Sequence, residues 1–265
     1  MLIIKHPIHF NRIIKLGWKR DIPDGRDLVY KTAFPFYKRF PKLVDLRNLC
    51  PSVVYDQGDL GSCTANALAA AMEFERLKQK LPDFIPSRLF IYYQERILEG
   101  TVDSDEGAML RDGMKALAKW GVPPEEPDWP YDISKFKDKP SDIAYQDALQ
   151  NKALQYLRVN QSLNAMKDCL ASGYPFVYGF SVYESFMSDS AALTGIITMP
   201  NFNRESNLGG HAVMAVGYDD SKNCFISRNS WGDTWGDKGY FYIPYKYLTN
   251  SNLAADFWTV RLVGS

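Results

Sequence analysis

The spacing of apolar positions changes character near residue 150. Before that point it is helical. Cys63 to Leu81 reads CTANALAAAMEFERLKQKL, with Ala65, Leu68, Ala69, Met72 and Leu77 recurring at roughly helical intervals and alanines adding strong propensity. Pro82 stops the run, so a helix is expected over Cys63–Leu81 with Cys63 in its first turn. Ser87–Glu99 and Leu110–Trp120 read as further helices, the latter ended by Gly121-Val-Pro-Pro. Beyond residue 150, Ser162–Ala171 is again helical. Phe176–Val182, His211–Tyr218, Cys224–Arg228 and Tyr240–Tyr245 are rich in Val, Ile, Phe and Tyr and read as strands, with Asp219 to Asn223 as a hairpin loop. This order predicts an α+β fold of two lobes, helical over about 41–150 and β-rich over about 151–265.

Residues 1–40 stand outside the pattern. They show little periodicity, yet they hold Phe10, Ile13, Ile14, Leu16, Trp18, Leu28, Tyr30, Phe34, Phe36, Tyr37 and Phe40, too apolar a set for a solvated linker. Asp21-Ile-Pro-Asp-Gly25 supplies turn chemistry in the middle. The segment is expected to be an N-terminal extension that buries its aromatics on the body.

Composition narrows the function classes. The 265 residues carry 31 basic and 31 acidic side chains, so no net field favours nucleic acid or a membrane surface. No apolar run approaches the roughly 18 residues of a membrane span. Lys5, His6, His9, Asn11 and Arg12 interrupt the start, so no secretory leader is visible. A leader already removed would leave the same sequence, and the compartment stays open between soluble and secreted. Four cysteines without a CxxC pair and only three histidines argue against a zinc site. His6 and His9 lie three apart with no third ligand nearby, and neither a metal nor another cofactor is expected.

The candidate chemistry begins at Cys63. A lone cysteine is usually a small buried hydrophobe. At a helix start, however, unpaired N–H groups and the positive end of the dipole favour the nucleophilic thiolate. Gln57 lies six residues earlier, and Gly58 and Gly61 allow a tight loop back over that helix start. Its amide is then a candidate oxyanion donor, although a turn residue is the more ordinary role. His211, in Gly209-Gly210-His211-Ala212-Val213, is the only histidine outside the first nine residues, so a base for Cys63 within the folded body is His211 or none. Asn229 opens Asn229-Ser-Trp-Gly-Asp-Thr-Trp-Gly-Asp-Lys-Gly-Tyr240. The plain reading is an aromatic turn; the functional one is an amide that orients the imidazole.

Gln57-Gly, Gly61-Ser-Cys63, Gly-His211-Ala-Val and Asn229-Ser-Trp-Gly-x-x-Trp-Gly-x-x-Gly-Tyr together resemble the papain family of cysteine peptidases (peptidase C1), and are similar to its short bacterial members. The order Cys, His, Asn agrees. His211 follows Cys63 by 148 positions and Asn229 by 166, against a family spacing of about 130–150. Pro41-Lys-Leu-Val-Asp-Leu-Arg47 resembles the start of the mature enzyme in that family, and the likeness covers about 41–265. It implies a helical left lobe, a β-barrel-like right lobe and a cleft between them. It further implies Cys63 as nucleophile, His211 as base and acid, Asn229 as orienter, Gln57 as oxyanion donor, Trp231 as a shield and Trp235 on the leaving-group side. Glu106-Gly107 aligns with the pair that binds substrate backbone. Ala108, Met109, Gly179 and Gly209 align with the pocket for the second residue before the cleaved bond, where apolar walls predict Leu, Phe or Tyr. Three departures stand out: Leu60 replaces a cysteine that braces the loop in the family, Thr64 replaces a tryptophan, and Glu106 puts a charge at the cleft edge where the family has glycine.

The resemblance implies an endopeptidase acting on peptides or proteins, expected as a monomer, with a zymogen-like role for the N-terminal extension as an intramolecular inhibitor; the alternative for the extension is a structural brace on the back of a lobe. Alternatives are another acyl transfer, deamidation or exopeptidase trimming, or a non-catalytic peptide-binding module.

Overall fold

The computed structural model describes residues 4–5, 13–31 and 40–265. His6, His9, Phe10, Phe34, Phe36 and Tyr37 lie outside the described residues. Three short strands open the chain: β1 (Ile4–Lys5), β2 (Ile13–Ile14), which pairs with it, and β3 (Trp18–Lys19). β4 (Leu43–Asp45) follows, and then α1 (Cys63–Lys78), α2 (Arg88–Glu99), β5 (Ala108–Met109), α3 (Leu110–Lys119) and α4 (Asp142–Ala148). The remainder is β6 (Lys152–Arg158), α5 (Leu163–Ala171), β7 (Phe176–Tyr183), α6 (Asp189–Thr194), β8 (Asn207–Asp219), β9 (Cys224–Arg228), β10 (Tyr240–Pro244), α7 (Tyr245–Leu248) and β11 (Ala254–Gly264). Helices therefore dominate the first half and strands the second.

α1 stops three residues short of the expected Leu81. Lys80 takes a left-handed conformation, and the Leu81 and Lys80 amides bond back to the Arg76 and Leu77 carbonyls. That paired closure ends the helix before Pro82 is reached. α2 starts on Ser87, whose hydroxyl accepts from the Phe90 amide, and ends on left-handed Gly100.

Seven strands form one antiparallel sheet in the order β10-β9-β8-β7-β11-β6, with β4 added to β8. The expected barrel-like lobe is an open sheet, because β10 and β6 at its two ends are not paired to each other among the described residues. α1 is buried along most of its length, a consequence of its alanine-rich surface on every face. The core runs from α1 through Leu89, Ile91, Leu110 and Leu117 into the sheet, around Phe176, Tyr178, Phe180 and Phe257. All four cysteines are free. Among the described residues, no helix is long and apolar enough to cross a membrane and no cluster of metal-ligating side chains occurs.

Candidate active site

Cys63 is the first residue of α1. The loop that leads into it is held from two sides. The Gly61 amide donates to Asp105 Oδ1 at 3.0 Å, and Gln57 Nε2 donates to the Leu60 carbonyl at 2.9 Å. Tyr92 in α2 donates to the same Asp105 oxygen at 2.6 Å. Asp105 thus braces the loop at the place where Leu60 removes a bridging cysteine. Thr64 fills the second departure by donating its hydroxyl to buried Glu95 at 2.8 Å.

His211 sits in the middle of β8, opposite Phe180 of β7. Asn229 follows the last residue of β9. Its Oδ1 lies 2.8 Å from His211 Nε2 and accepts the Ser230 amide at 2.8 Å. Two donors on one oxygen fix the amide's orientation and make Nε2 the protonated nitrogen. Nδ1 is left without a hydrogen-bond partner among the described residues. Trp231 stacks on the imidazole with centroids 4.8 Å apart, and Trp235 meets Trp231 edge-on at 5.1 Å. Trp235 is fully buried against Phe186 and Phe241, so it packs behind Trp231 and presents no open wall.

Gln57 is tied to the same turn. Its amide donates to the Ser230 carbonyl at 2.9 Å, and its Oε1 accepts the Ser230 hydroxyl at 2.8 Å. The side-chain NH2 therefore points away from Ser230, toward the start of α1. The backbone amides of Ala212, Gly17 and Thr64 lie near enough to the Cys63 sulfur to favour its thiolate. Ala212 is the neighbour of His211, so the start of α1 faces β8 next to His211. The Cys63 and His211 side chains are fully buried. Burial pushes the thiol up to about 12, opposed first by the Ala212 and Gly17 amides. Burial pushes the imidazole down to about 4, opposed by the Asn229 hydrogen bond. In this state the pair is a neutral thiol and a neutral imidazole.

A sequence model described as papain family cysteine protease matches residues 40–258. The chain belongs to that family. It is similar to xylellain, a cysteine protease from Xylella fastidiosa, whose crystal structure shares 45% identity over 98% of both chains with a TM-score of 0.87. An uncharacterised peptidase C1-like protein of Acanthamoeba polyphaga mimivirus is 43% identical over 93% of this chain and 86% of its own length. A cathepsin B-like protein of Giardia intestinalis is 29% identical over 80% of this chain and 68% of its own length. The fold extends to a digestive procathepsin L 3 of Tenebrio molitor at 19% identity, 89% and 75% coverage and a TM-score of 0.70.

The burial of this papain-family dyad has a visible cause. Residues 15–19 lie across it. The Lys15 carbonyl accepts from Gln57 Nε2 at 3.0 Å, the Gly17 amide reaches the Cys63 sulfur, and the Gly17 carbonyl accepts the Ala108 amide at 2.8 Å. β3 pairs in parallel with β5, Trp18 beside Ala108 and Lys19 beside Met109. Gly17 passes through a gap that admits no side chain: a Cβ there would sit 1.9 Å from the Gly61 carbonyl oxygen, which is backbone. The chain on both sides is held down. Lys15 pairs with Asp105 at 2.6 Å, and Lys19 with Glu99 at 3.3 Å. Arg158 pairs with Asp27 at 2.9 Å, Arg111 also pairs with Asp27, and the Tyr30 hydroxyl donates to Asp168 at 2.5 Å. Ile14, Leu16, Trp18 and Tyr30 are buried, whereas Ile22 and Leu28 remain 70% exposed.

The aligned pocket is filled from the same side. A Cβ on Gly179 or on Gly210 would overlap the Trp18 residue, and Leu16 lies over Gly209. Gly107 needs its bare α-carbon because the Gly17 carbonyl crosses it. Ala108 is buried and Met109 half-buried beneath β3. Sequence reasoning did not find Asp105, Ser230, Asp21 or Asp256. Asp256 is a buried acid flanked by Leu253-Ala-Ala and Phe-Trp, and that mismatch with an apolar strand was the available signal.

Proposed function

We propose that this chain is a cysteine endopeptidase that is held latent by its own residues 15–21. The single observation that carries the chemistry is the arrangement of His211 Nε2 on Asn229 Oδ1, with Nδ1 unpartnered among the described residues and the Ala212 amide facing the Cys63 sulfur. Once the segment leaves, water and substrate return to the cleft, burial no longer opposes charge, and the proton moves from Sγ to Nδ1. The thiolate attacks the scissile carbonyl carbon, forming a C–S bond and an oxyanion. The Cys63 amide and Gln57 Nε2, which now donates to the Lys15 carbonyl, bind that oxyanion. Collapse breaks the C–N bond, and the imidazolium gives its proton to the leaving amine. Neutral His211 then deprotonates a water that hydrolyses the thioester. Asn229 keeps Nε2 protonated throughout, and Trp231 keeps water from that hydrogen bond.

The covering segment supports latency because its contacts are unproductive. The Gly17 amide faces the sulfur as a donor, while the carbonyl that Gln57 Nε2 bonds belongs to Lys15, two residues earlier. The test is turnover of an internally quenched peptide by the wild type, Cys63→Ala and Gly17→Ala, with product masses read out. Gly17→Ala, which cannot thread the gap, is expected to cleave internal bonds faster than the wild type, and Cys63→Ala is expected to be inert. Equal rates for wild type and Gly17→Ala at matched folded fraction would remove the latency. Products that are only deamidated, ligated or trimmed at an end would replace the endopeptidase reading.

A further inference from the structure

The loop from Gln57 to Cys63 carries both oxyanion donors of the proposed mechanism, one at each end. Their separation depends on what ties those ends together. Ser230 holds the Gln57 amide and side chain, and Asp105 holds Gly61, but neither set of bonds reaches the Gln57 carbonyl or Ser62, the residue before the nucleophile. Tyr131, in the connection between α3 and α4, reaches both. Its hydroxyl donates to the Gln57 carbonyl at 2.9 Å and lies 2.5 Å from the Ser62 hydroxyl. A phenol has one proton to give, and the Gln57 carbonyl takes it, so Ser62 Oγ is the donor to Tyr131. Ser62 Oγ in turn accepts the Asn66 side-chain amide at 3.1 Å, and the Ser62 carbonyl accepts the same amide at 2.9 Å. The result is a one-way run of donors from Asn66 in α1, through Ser62 and Tyr131, to the Gln57 backbone. Gln57 and Ser62 have no exposed surface, so water does not compete for these bonds.

The tyrosine is itself held in place. The Arg88 guanidinium lies 4.0 Å from the centroid of its ring and forks onto Glu125, with a closest approach of 2.6 Å. The same guanidinium reaches the Asp56 carbonyl at 3.1 Å and Asn66 Oδ1 at 3.2 Å. It therefore grips the residue before Gln57, the ring, and the start of the donor run. Burial pushes the Tyr131 hydroxyl up to about 12, so it keeps the proton that it donates. We propose that Tyr131 is a positioning residue for acyl transfer, which sets the separation of the Cys63 amide and Gln57 Nε2 by tying the Gln57 carbonyl and the Ser62 side chain to one oxygen. Its hydroxyl is taken up by Gln57 and Ser62 and acts only through them. The proposal rests on the peptidase reading, in which those two donors bind the oxyanion.

The test compares two reactions of the same sulfur in the full-length chain. Attack on a peptidyl nitrophenyl ester forms a C–S bond and moves the carbonyl electron pair onto oxygen before nitrophenolate leaves, so it draws on the oxyanion donors. Attack on iodoacetamide forms a C–S bond at a saturated carbon and expels iodide, so it draws on neither. Cys63 has no exposed surface, both reagents reach it only through opening, and the ratio of the two rates cancels that opening. A general loosening of the fold likewise changes both rates alike. Tyr131→Phe removes one oxygen and keeps the ring against Arg88. It is expected to lower the ester-to-iodoacetamide ratio by about tenfold or more, and Gln57→Ala to lower it further. Ser62→Ala cuts the same link from its other side and is expected to act in the same direction, which keeps the test open if Tyr131→Phe does not fold. A ratio that Gln57→Ala lowers but that Tyr131→Phe and Ser62→Ala leave unmoved overturns the role of Tyr131. A ratio that Gln57→Ala leaves unmoved overturns the oxyanion reading beneath it.

Discussion

Trp18→Ala tests the cover most directly, because it removes the segment's largest buried group without touching the dyad. Trp18 is 8% exposed and carries one hydrogen bond to Asp256. Truncating a buried tryptophan to alanine costs about 3–5 kcal/mol in a closed core. The slot opens on the cleft and ends in a carboxylate, so water refills it, and the lower figure of about 3 kcal/mol applies. The cost falls on the covered state alone, since the uncovered state has already given up the contact. Cys63 has no exposed surface, so a small alkylating reagent reacts with it only through opening, at a rate proportional to the opening equilibrium. About 3 kcal/mol then means a rise of about a hundredfold. The assay is iodoacetamide labelling followed by peptide mass mapping, in which Cys50, Cys169 and Cys224 serve as internal controls. Cys63 should accelerate alone. An unchanged Cys63 rate would refute a cover held by Trp18. Parallel acceleration of all four cysteines would show that the substitution loosens the whole fold and not the segment.

Gln57→Ala is expected to move two readouts in opposite directions. Peptide turnover should fall by about 10²- to 10³-fold in kcat through loss of an oxyanion donor, while Cys63 alkylation in the resting chain should rise because the Lys15 carbonyl loses its partner. In Gly17→Ala, kcat/KM should trace a bell across mildly acidic to neutral pH, the acid limb marking formation of the thiolate–imidazolium pair and the basic limb its loss; a monotonic climb to pH 10 would indicate an isolated thiol. In the wild type, opening should become easier as pH rises through neutrality, and Asp21→Asn should flatten that dependence; the ratio of wild-type to Gly17→Ala alkylation rates across pH reads it out.

Much of the fold was legible because its main elements carry strong periodic signals. α1, α2, α3 and α5, and strands β7 to β10, fall where apolar spacing puts them, to within a few residues. β6 and β11 escaped for different reasons. β6 is an end strand with mixed burial and no clear alternation, and β11 holds the Asp256 irregularity that breaks its period of two. α4 and α6 are short, seven and six residues, and only their serine caps announce them: Ser141 and Ser188 each accept a backbone amide three residues on. At the site, Cys63, His211, Asn229 and Gln57 were picked out by motif order; in the structure Asn229 Oδ1 lies on His211 Nε2, and Gln57 bonds Ser230, the residue after Asn229. The way residues 15–19 thread past Gly61 and Gly107 was not legible, because it depends on glycine gaps contributed by distant parts of the chain.

The expected direction of the pH effect follows from counting protons before and after opening. In the covered state the dyad holds one proton, on sulfur, because burial has raised the thiol to about 12 and lowered the imidazole to about 4. In the open state proposed here the pair again holds one proton, now on the imidazole. Across that plateau the dyad neither takes up nor releases protons on opening, so it contributes no slope. Asp21 and Asp256 do contribute. Burial raises both carboxyls, and for Asp21 the neighbouring Asp256 charge adds to the rise, taking it to about 7. The groups that face them work the other way: the Arg111 amide and Trp258 Nε1 bond Asp21, and Arg158 and Arg20 lie by Asp256. A carboxyl raised in the covered state binds its proton there more tightly than in the open state. Its contribution to the cover is therefore complete below the ordinary value of 3.8 and is lost as pH climbs through about 7. Mild acid should fasten this cover and neutral to alkaline pH should release it.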